Sequence, residues 1–209
     1  QQYNTDIYCR MYRSVDELLA YAHQTSPKVY RPFIMTEYLH TMGNSGGGLK
    51  EYMEVFESEP VVQGGCIWDW VDQSFREVDA HGKWYWAYGG DYGPENIPSF
   101  GNFCCNGLVN AVREPHPHLK EVKKAYQYIK CTLKDPKNLT IAIKNWYDFT
   151  NLNAYVLKWS IMGDNGKMLA KGEQSIEVAP HATTEVSLGG VRLPVSYTHL
   201  RAHETGRNL

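Results

Sequence analysis

Pro32-Phe33-Ile34-Met35-Thr36-Glu37 is a continuous apolar run that closes on a carboxylate, and the loop Gly43-Asn44-Ser45-Gly46-Gly47-Gly48 separates it from the helical pattern Leu49, Tyr52, Met53, Val55 and Phe56. A short apolar run without alternation fits a strand buried on both faces, and such strands belong to parallel sheets covered by helices. The text on either side repeats the unit. Upstream, Asp6-Ile7-Tyr8-Cys9-Arg10-Met11-Tyr12 reads as a strand end, and Ser14 with Glu17 makes a capping box for an amphipathic helix over residues 15–24. Downstream, Pro60 stops the second helix. Val61-Val62-Gln63-Gly64-Gly65-Cys66-Ile67-Trp68 is then a third buried strand, with Asp69-Trp70-Val71-Asp72-Gln73 at its carboxyl end. Polar residues gathered where parallel strands end are the arrangement of a (β/α)8 barrel, whose active site is built from those ends. Three units cannot close a barrel, so residues 1–133 read as the C-terminal part of a TIM-barrel domain.

From about residue 134 the pattern becomes one of strands and turns. Residues 139–145 and 155–162 alternate with period two, Asn165-Gly166 supplies a hairpin turn, and residues 168–173, 175–178 and 183–188 complete five strands. The expectation for residues 134–194 is an all-β, immunoglobulin-like sandwich with Trp159 as its core aromatic and no bridging cysteine pair. Residues 195–209 break the alternation and read as a non-native or disordered tail.

The 209 residues carry 21 basic and 23 acidic side chains for a net charge of −2, a balance that favours neither nucleic acid nor an anionic membrane. No apolar run approaches the ~20 residues of a bilayer span, and nothing at the N-terminus of this sequence resembles a signal peptide. The first residue is Gln1 and not Met, which points to a cut chain. The 5 cysteines show no C-x-x-C spacing and are expected to be buried, reduced thiols. Aromatic residues reach 13%, with 15 Tyr and 6 Trp, and this surplus points to a stacking surface.

Glu37 is the sharpest candidate, because a carboxylate closing a buried strand sits where a barrel opens to substrate; the alternative is an ion pair with Arg31 or Lys50. His40 could orient a hydroxyl or bind metal, or be a hydrogen-bonded loop histidine. Glycines 46 to 48 lack the Lys-Ser/Thr of a phosphate loop and read as flexibility near a site. Trp68, Trp70, Trp84, Tyr85, Trp86 and Tyr88 lie beside carboxylates and amides. A pyranose requires such company, since its C–H face packs on rings and its hydroxyl rim needs directional partners; a plain aromatic core is the competing explanation. Glycoside hydrolysis also needs a second carboxyl, for which Asp69, Asp72, Asp91 and Glu95 are the nearby downstream candidates.

The motifs Thr36-Glu37-Tyr38-Leu39-His40-Thr41-Met42-Gly43-Asn44-Ser45, Gln63-Gly64-Gly65-Cys66-Ile67-Trp68-Asp69-Trp70-Val71-Asp72-Gln73 and Tyr88-Gly89-Gly90-Asp91 closely resemble the β-galactosidases of glycoside hydrolase family 2. Phe103-Cys104-Cys105-Asn106-Gly107-Leu108-Val109 and Arg113-Glu114-Pro115-His116-Pro117 extend the resemblance, which covers residues 5–194. It implies a retaining hydrolase of terminal β-galactosides such as lactose, with Glu37 as nucleophile and Tyr12 donating to it. Met11, His40 and Trp68 would contact the sugar, and the Phe103 carbonyl and Asn106 side chain would be two ligands of a sodium ion. The family's magnesium ligands and acid/base glutamate would lie elsewhere, since no Asn-Glu dipeptide occurs in this chain. The chain alone is therefore expected to be inactive, with Ile7, Phe33, Ile34 and Ile67 facing water or another chain. The resemblance also implies a homo-oligomeric parent in a bacterial cytoplasm or periplasm. A β-glucuronidase or β-mannosidase of the same family, or a non-catalytic carbohydrate-binding module, are the other readings; the Glu37 to Ser45 run favours galactoside.

Overall fold

The computed structural model describes residues 4–163 and 165–188. The chain divides into two compact units, Gln1–Tyr126 and Gln127–Leu209.

In the first unit the strands β1 (Tyr8–Met11), β2 (Phe33–Tyr38) and β3 (Val62–Ile67) form a parallel sheet in the order β1-β2-β3. Helix α1 (Val15–Ala22) follows β1, and α2 (Leu49–Ser58) follows β2. The capping box is present: Glu17 N–H donates to Ser14 Oγ at 3.2 Å, and Ser14 N–H to the Glu17 carboxylate at 2.9 Å. Helix α2 opens after Gly48, whose φ of 83° only glycine adopts readily, and closes at Glu59 because Pro60 disfavours helix in the residue before it.

Leu18 from α1, Leu49 and Val55 from α2, and Phe33, Met35, Tyr38 and Val62 from the sheet form one buried cluster. Phe33 is thus in the core and not facing water, because it lies on the face the helices cover; Tyr8 and Tyr21 stack beside it at 4.9 Å. Ile34 and Ile67 are half-buried, and Ile7 is exposed as expected. After β3 come elements the sequence reading did not separate. These are a hairpin of β4 (Phe75–Val78) and β5 (Trp84–Ala87), two 3-10 turns, and α3 (His118–Ala125). The hairpin carries Trp84 on its exposed surface under the Arg76 guanidinium, so this part of the aromatic text is not core. The cysteines are thiols but not buried: Cys66 is exposed on the outer strand β3 and the other cysteines are half-buried.

The described residues of the second unit form five strands and one 3-10 turn, Leu152–Ala154. Strands β6 (Ile129–Asp135), β7 (Thr140–Asn145) and β10 (Thr183–Ser187) form an antiparallel sheet in the order β10-β7-β6, and β8 (Val156–Met162) pairs with β9 (Met168–Ser175). Strand β6 runs through the position where the sequence suggested a change of domain, held there by its register with β7. Ile141, Ile143, Leu152, Ile176 and Val178 make the core, with Leu157 of β8 packed on it. Residues 176–178 are not a strand; Ile176 and Val178 fill the core from an irregular run that follows β9. Trp159 is half-buried and stands outside that core, because its ring folds over Gly172 of the paired strand, where an added Cβ would meet Cζ2 at 2.5 Å. The expected hairpin closes through Gly163 N–H to Lys167 O at 2.8 Å, with Gly166 at φ 75°. The expected tail, 195–209, and the end of the sandwich at residue 194 lie outside the described residues.

Candidate active site

The orientation of Glu37 is set by a bulge. Between β1 and β2 the register advances from Arg10↔Met35 to Met11↔Glu37, and between β2 and β3 from Met35↔Gly65 to Tyr38↔Ile67. Strand β2 therefore carries one extra residue, Thr36, against both neighbours. Strict alternation would put Phe33, Met35 and Glu37 on the helix face. The bulge reverses it, so that Tyr38 joins Phe33 and Met35 in the core against Tyr52 and Phe56, and Glu37 turns to the opposite face.

The two strand ends then bend sharply, with Tyr12 at φ 52° and Leu39 at φ 58°. Side chains hold the left-handed backbone poorly, and such positions persist where surroundings fix them. For Tyr12 the fixing contact is its N–H, which donates to Glu37 O at 2.8 Å. Its hydroxyl is hydrogen-bonded to the Glu37 carboxylate. Burial first, then that bond and the charges of Glu37 and Asp69, push the phenol well above the ordinary tyrosine range. No ion pair of Glu37 with Arg31 or Lys50 is needed to account for it; Lys50 pairs with Glu54 at 2.8 Å.

From Tyr12 the site continues by contact. Its ring meets His40 edge-on at 6.2 Å, His40 stacks on Phe103 at 5.0 Å, and His40 Nε2 lies 3.3 Å from Asn106 Nδ2. Asn106 Nδ2 donates to Phe103 O at 2.9 Å, while Asn106 Oδ1 is buried with no hydrogen-bond partner. Trp68, Gln73, Phe100, Phe103, Cys104 and Asn106 line an open cleft of ≈ 540 Å³. Met11, Tyr12, Glu37, His40, Phe103 and Asn106 are thus brought together, with Met11 in register beside Glu37 and exposed, and Trp68 shares the cleft wall with Phe103 and Asn106.

The loop bearing Asn106 is clamped by the segment after β3. Asp69 N–H donates to Asn106 O at 2.9 Å, Leu108 N–H to Asp69 O at 3.0 Å, and Gln73 N–H to Cys104 O at 2.9 Å. Asp69 Oδ2 accepts from Gln73 Nε2 at 2.8 Å, while Oδ1 is buried and unpartnered. Burial raises the Asp69 carboxyl above the usual carboxylate range, the Gln73 bond offsetting part of this. Asp72 receives Gly107 N–H and His116 Nε2, and Asp91 receives Tyr88 N–H. Of the downstream carboxylates, Asp69 is therefore the one whose charge reaches Tyr12. Sequence reasoning missed Gly107, where a Cβ would lie 2.3 Å from Asp72 N; the Asn106-Gly107 dipeptide was its only signal.

Residues 1–131 match the family described as Glycosyl hydrolases family 2, TIM barrel domain. The chain belongs to glycosyl hydrolase family 2. Residues 141–204 match a second description within the family's proteins, Beta-galactosidase, domain 4. Among family relatives, the Beta-galactosidase of Priestia megaterium is 43% identical over 184 residues, which cover 88% of this chain and 17% of that protein. Beta-galactosidase 2 of Enterobacter cloacae is 39% identical over 207 residues, covering 95% of this chain and 19% of that protein. The chain thus spans less than a fifth of the length of these relatives. A solved Bacteroides uniformis beta-glucuronidase aligns over 88% of this chain and 23% of its own, at 19% identity and a TM-score of 0.35. Among the described residues no helix is long and apolar enough to cross a membrane.

Proposed function

We propose that this chain is part of a retaining β-galactosidase, contributing the last three βα units of a (β/α)8 barrel and part of an immunoglobulin-like sandwich. The observation that carries the reading is the bulge-directed Glu37 carboxylate, hydrogen-bonded by the Tyr12 hydroxyl at the ends of adjacent parallel strands. Relatives named β-galactosidase at 39–43% identity support the choice of sugar.

In this mechanism a Glu37 oxygen attacks the anomeric carbon as the glycosidic C–O bond breaks, and the leaving oxygen takes a proton from an acid supplied outside this chain. Water then attacks the same carbon, giving a proton back to that outside group, while the ester bond to Glu37 breaks to free its carboxylate, and the configuration is retained. Tyr12 keeps its proton at every working pH and offers it to Glu37, fixing the carboxylate without competing as a base. Met11 stands in register beside the nucleophile, His40 reaches the site through its contact with the Tyr12 ring, and Trp68 offers a ring to the C–H face of the sugar.

The unpartnered, buried Oδ1 of Asn106 and the carbonyl of Phe103 are neutral oxygens of the kind a hard monovalent cation takes, and they would hold sodium. Bound there, the ion would supply a fixed positive charge for a sugar hydroxyl. Magnesium ligands and the acid/base are assigned to other parts of the parent, whose substrate is a β-galactoside and whose state is a homo-oligomer.

A 2-deoxy-2-fluoro-galactoside with a good leaving group tests the reading on the full-length protein that carries this segment. The trapped glycosyl ester is expected on Glu37; labelling of another residue, or of none, overturns it. Parallel rates on nitrophenyl galactoside, glucuronide and mannoside decide the sugar.

A further inference from the structure

Cys104 and Cys105 lie between Phe103 and Asn106, and both are half-buried thiols. Consecutive residues of a helix do not face each other. Here the 3-10 turn ends at Cys104 and the backbone leaves it at Cys105, φ −96° and ψ 72°, so the Cys105 thiol meets both Cys104 and the Ser74 hydroxyl. Cys104 also forms part of the cleft wall with Trp68, Phe103 and Asn106.

We propose that Cys104 and Cys105 form a vicinal dithiol site for trivalent organoarsenicals, opening from the cleft at Cys104. Soft sulfur suits this thiophilic class. A direct disulfide is disfavoured, because consecutive Cα atoms stand ~3.8 Å apart and disulfides usually need about 4.4–6.8 Å. An inserted arsenic atom lengthens the link and relieves that constraint. Among the described residues no group of three or more His, Cys, Asp or Glu side chains is placed to hold a metal ion. An aryl arsenic(III) needs only two sulfurs, since carbon fills its third position.

With phenylarsine oxide the arsenic–oxygen bonds are exchanged for two arsenic–sulfur bonds, and both thiol protons leave with the oxygen as water. Arsenic stays trivalent and no electrons are transferred. Cys104, which faces the cleft, makes the first bond and Cys105 closes the ring intramolecularly. The ring forms between Phe103 and Asn106, at a residue whose carbonyl holds Gln73 N–H at 2.9 Å, and so disturbs the cleft wall. Binding is independent of the proposed function; its effect on hydrolysis rests on that function.

The test titrates the full-length protein that carries this segment with phenylarsine oxide under native conditions and maps the adduct by mass spectrometry. A single phenylarsenic bridge on the Cys104-Cys105 peptide is expected, with affinity falling roughly a hundredfold in either Cys104→Ser or Cys105→Ser through loss of the second, intramolecular bond, and unchanged in Cys66→Ser. A bridge elsewhere, or unaltered affinity in both serine variants, overturns the site. In the full-length protein, hydrolysis is expected to be lost on binding, restored by a small dithiol, and resistant in Cys105→Ser. Bridging without loss of hydrolysis overturns the link to the cleft, whereas failure of the fluorosugar to label Glu37 overturns the proposed function and leaves the dithiol site standing.

Discussion

Asp72 Oδ1 accepts the backbone N–H of Gly107 at 2.8 Å, and through Oδ2 the same carboxylate holds His116 Nε2 at 2.8 Å. One side chain thus fixes the residue next to Asn106 and the entry to α3. Asp72→Ala strips the partner from a half-buried N–H, which costs about 1–3 kcal/mol, and Asp72→Asn, which keeps one acceptor oxygen, should fall between it and wild type. Urea midpoints at constant slope measure both. An unaltered midpoint in the alanine variant would mean that the carboxylate holds nothing in place.

Gly107 has no room for a side chain, because an added Cβ would lie 2.3, 2.4 and 2.5 Å from backbone atoms of Asp72, Val71 and Val109. Gly107→Ala must move a main chain and should cost about 3 kcal/mol or more. Gly47 meets nothing within 4 Å, and Gly47→Ala should stabilise by about 0.4–1 kcal/mol through the unfolded chain. Thermal melts of the two variants should shift in opposite directions.

Tyr38 is fully buried with its hydroxyl 2.6 Å from that of Tyr126, and burial, then this bond, hold its proton well above the ordinary tyrosine range. The unfolded chain ionises near pH 10 while the folded chain does not, so the unfolded state binds fewer protons and stability falls as pH rises. The stabilisation is complete below about pH 9 and declines above pH 10 by up to about 1.4 kcal/mol per pH unit for this group. Tyr38→Phe removes that share. Denaturant titrations across the alkaline range should give a shallower slope for the variant, and an equal slope would refute the assignment.

In the β unit Asn145 is fully buried and fully used. Its Nδ2 donates to Thr150 O at 2.8 Å and Val178 O at 2.9 Å, and its Oδ1 accepts Tyr147 N–H at 2.9 Å. Asn145→Ala abandons all of these groups, at a cost of about 3 kcal/mol or more. Asn145→Asp places a carboxylate against two carbonyls with no donor to offer, so at neutral pH it should be the worse variant. Protonation supplies one donor, and the gap between the two should narrow on acidification.

Much of this fold is legible because it is local. The runs at Phe33 and Val62 are short, apolar and bounded by glycine or proline, and Ser14 with Glu17 caps α1 within four residues. Strand β6 carries a signal too, in the alternation Ile129-Lys130-Cys131-Thr132-Leu133-Lys134, but it abuts helical text and is easily absorbed into it. Helix α3 is marked only by Leu119, Val122 and Ala125 on one face after Pro117. The bulge at Thr36 has no local mark, since threonine is an ordinary strand residue and the extra position exists only relative to β1 and β3. Glu37 is therefore easy to nominate from sequence, while the face it occupies is a property of three strands together. The Asp72–Gly107 bond spans 35 positions and is unreadable for the same reason.

Tyr12→Phe isolates the contribution of one hydroxyl to the proposed reaction. The backbone of Tyr12 is fixed by its own N–H bond to Glu37 O at 2.8 Å, and the ring keeps its edge contact with His40 at 6.2 Å, so the variant should fold as wild type. What is lost is the donor to the Glu37 carboxylate. A donor that positions charge in a reacting site is worth about 10²–10³ in kcat when removed. In the full-length protein, kcat on a nitrophenyl galactoside is expected to fall by about that factor, KM to change far less, and the urea midpoint to stay near that of wild type. A fall in the midpoint with kcat per folded molecule unchanged would make the hydroxyl a structural group. Unchanged kcat with Glu37 still labelled by the fluorosugar would remove Tyr12 from the mechanism while leaving the nucleophile in it.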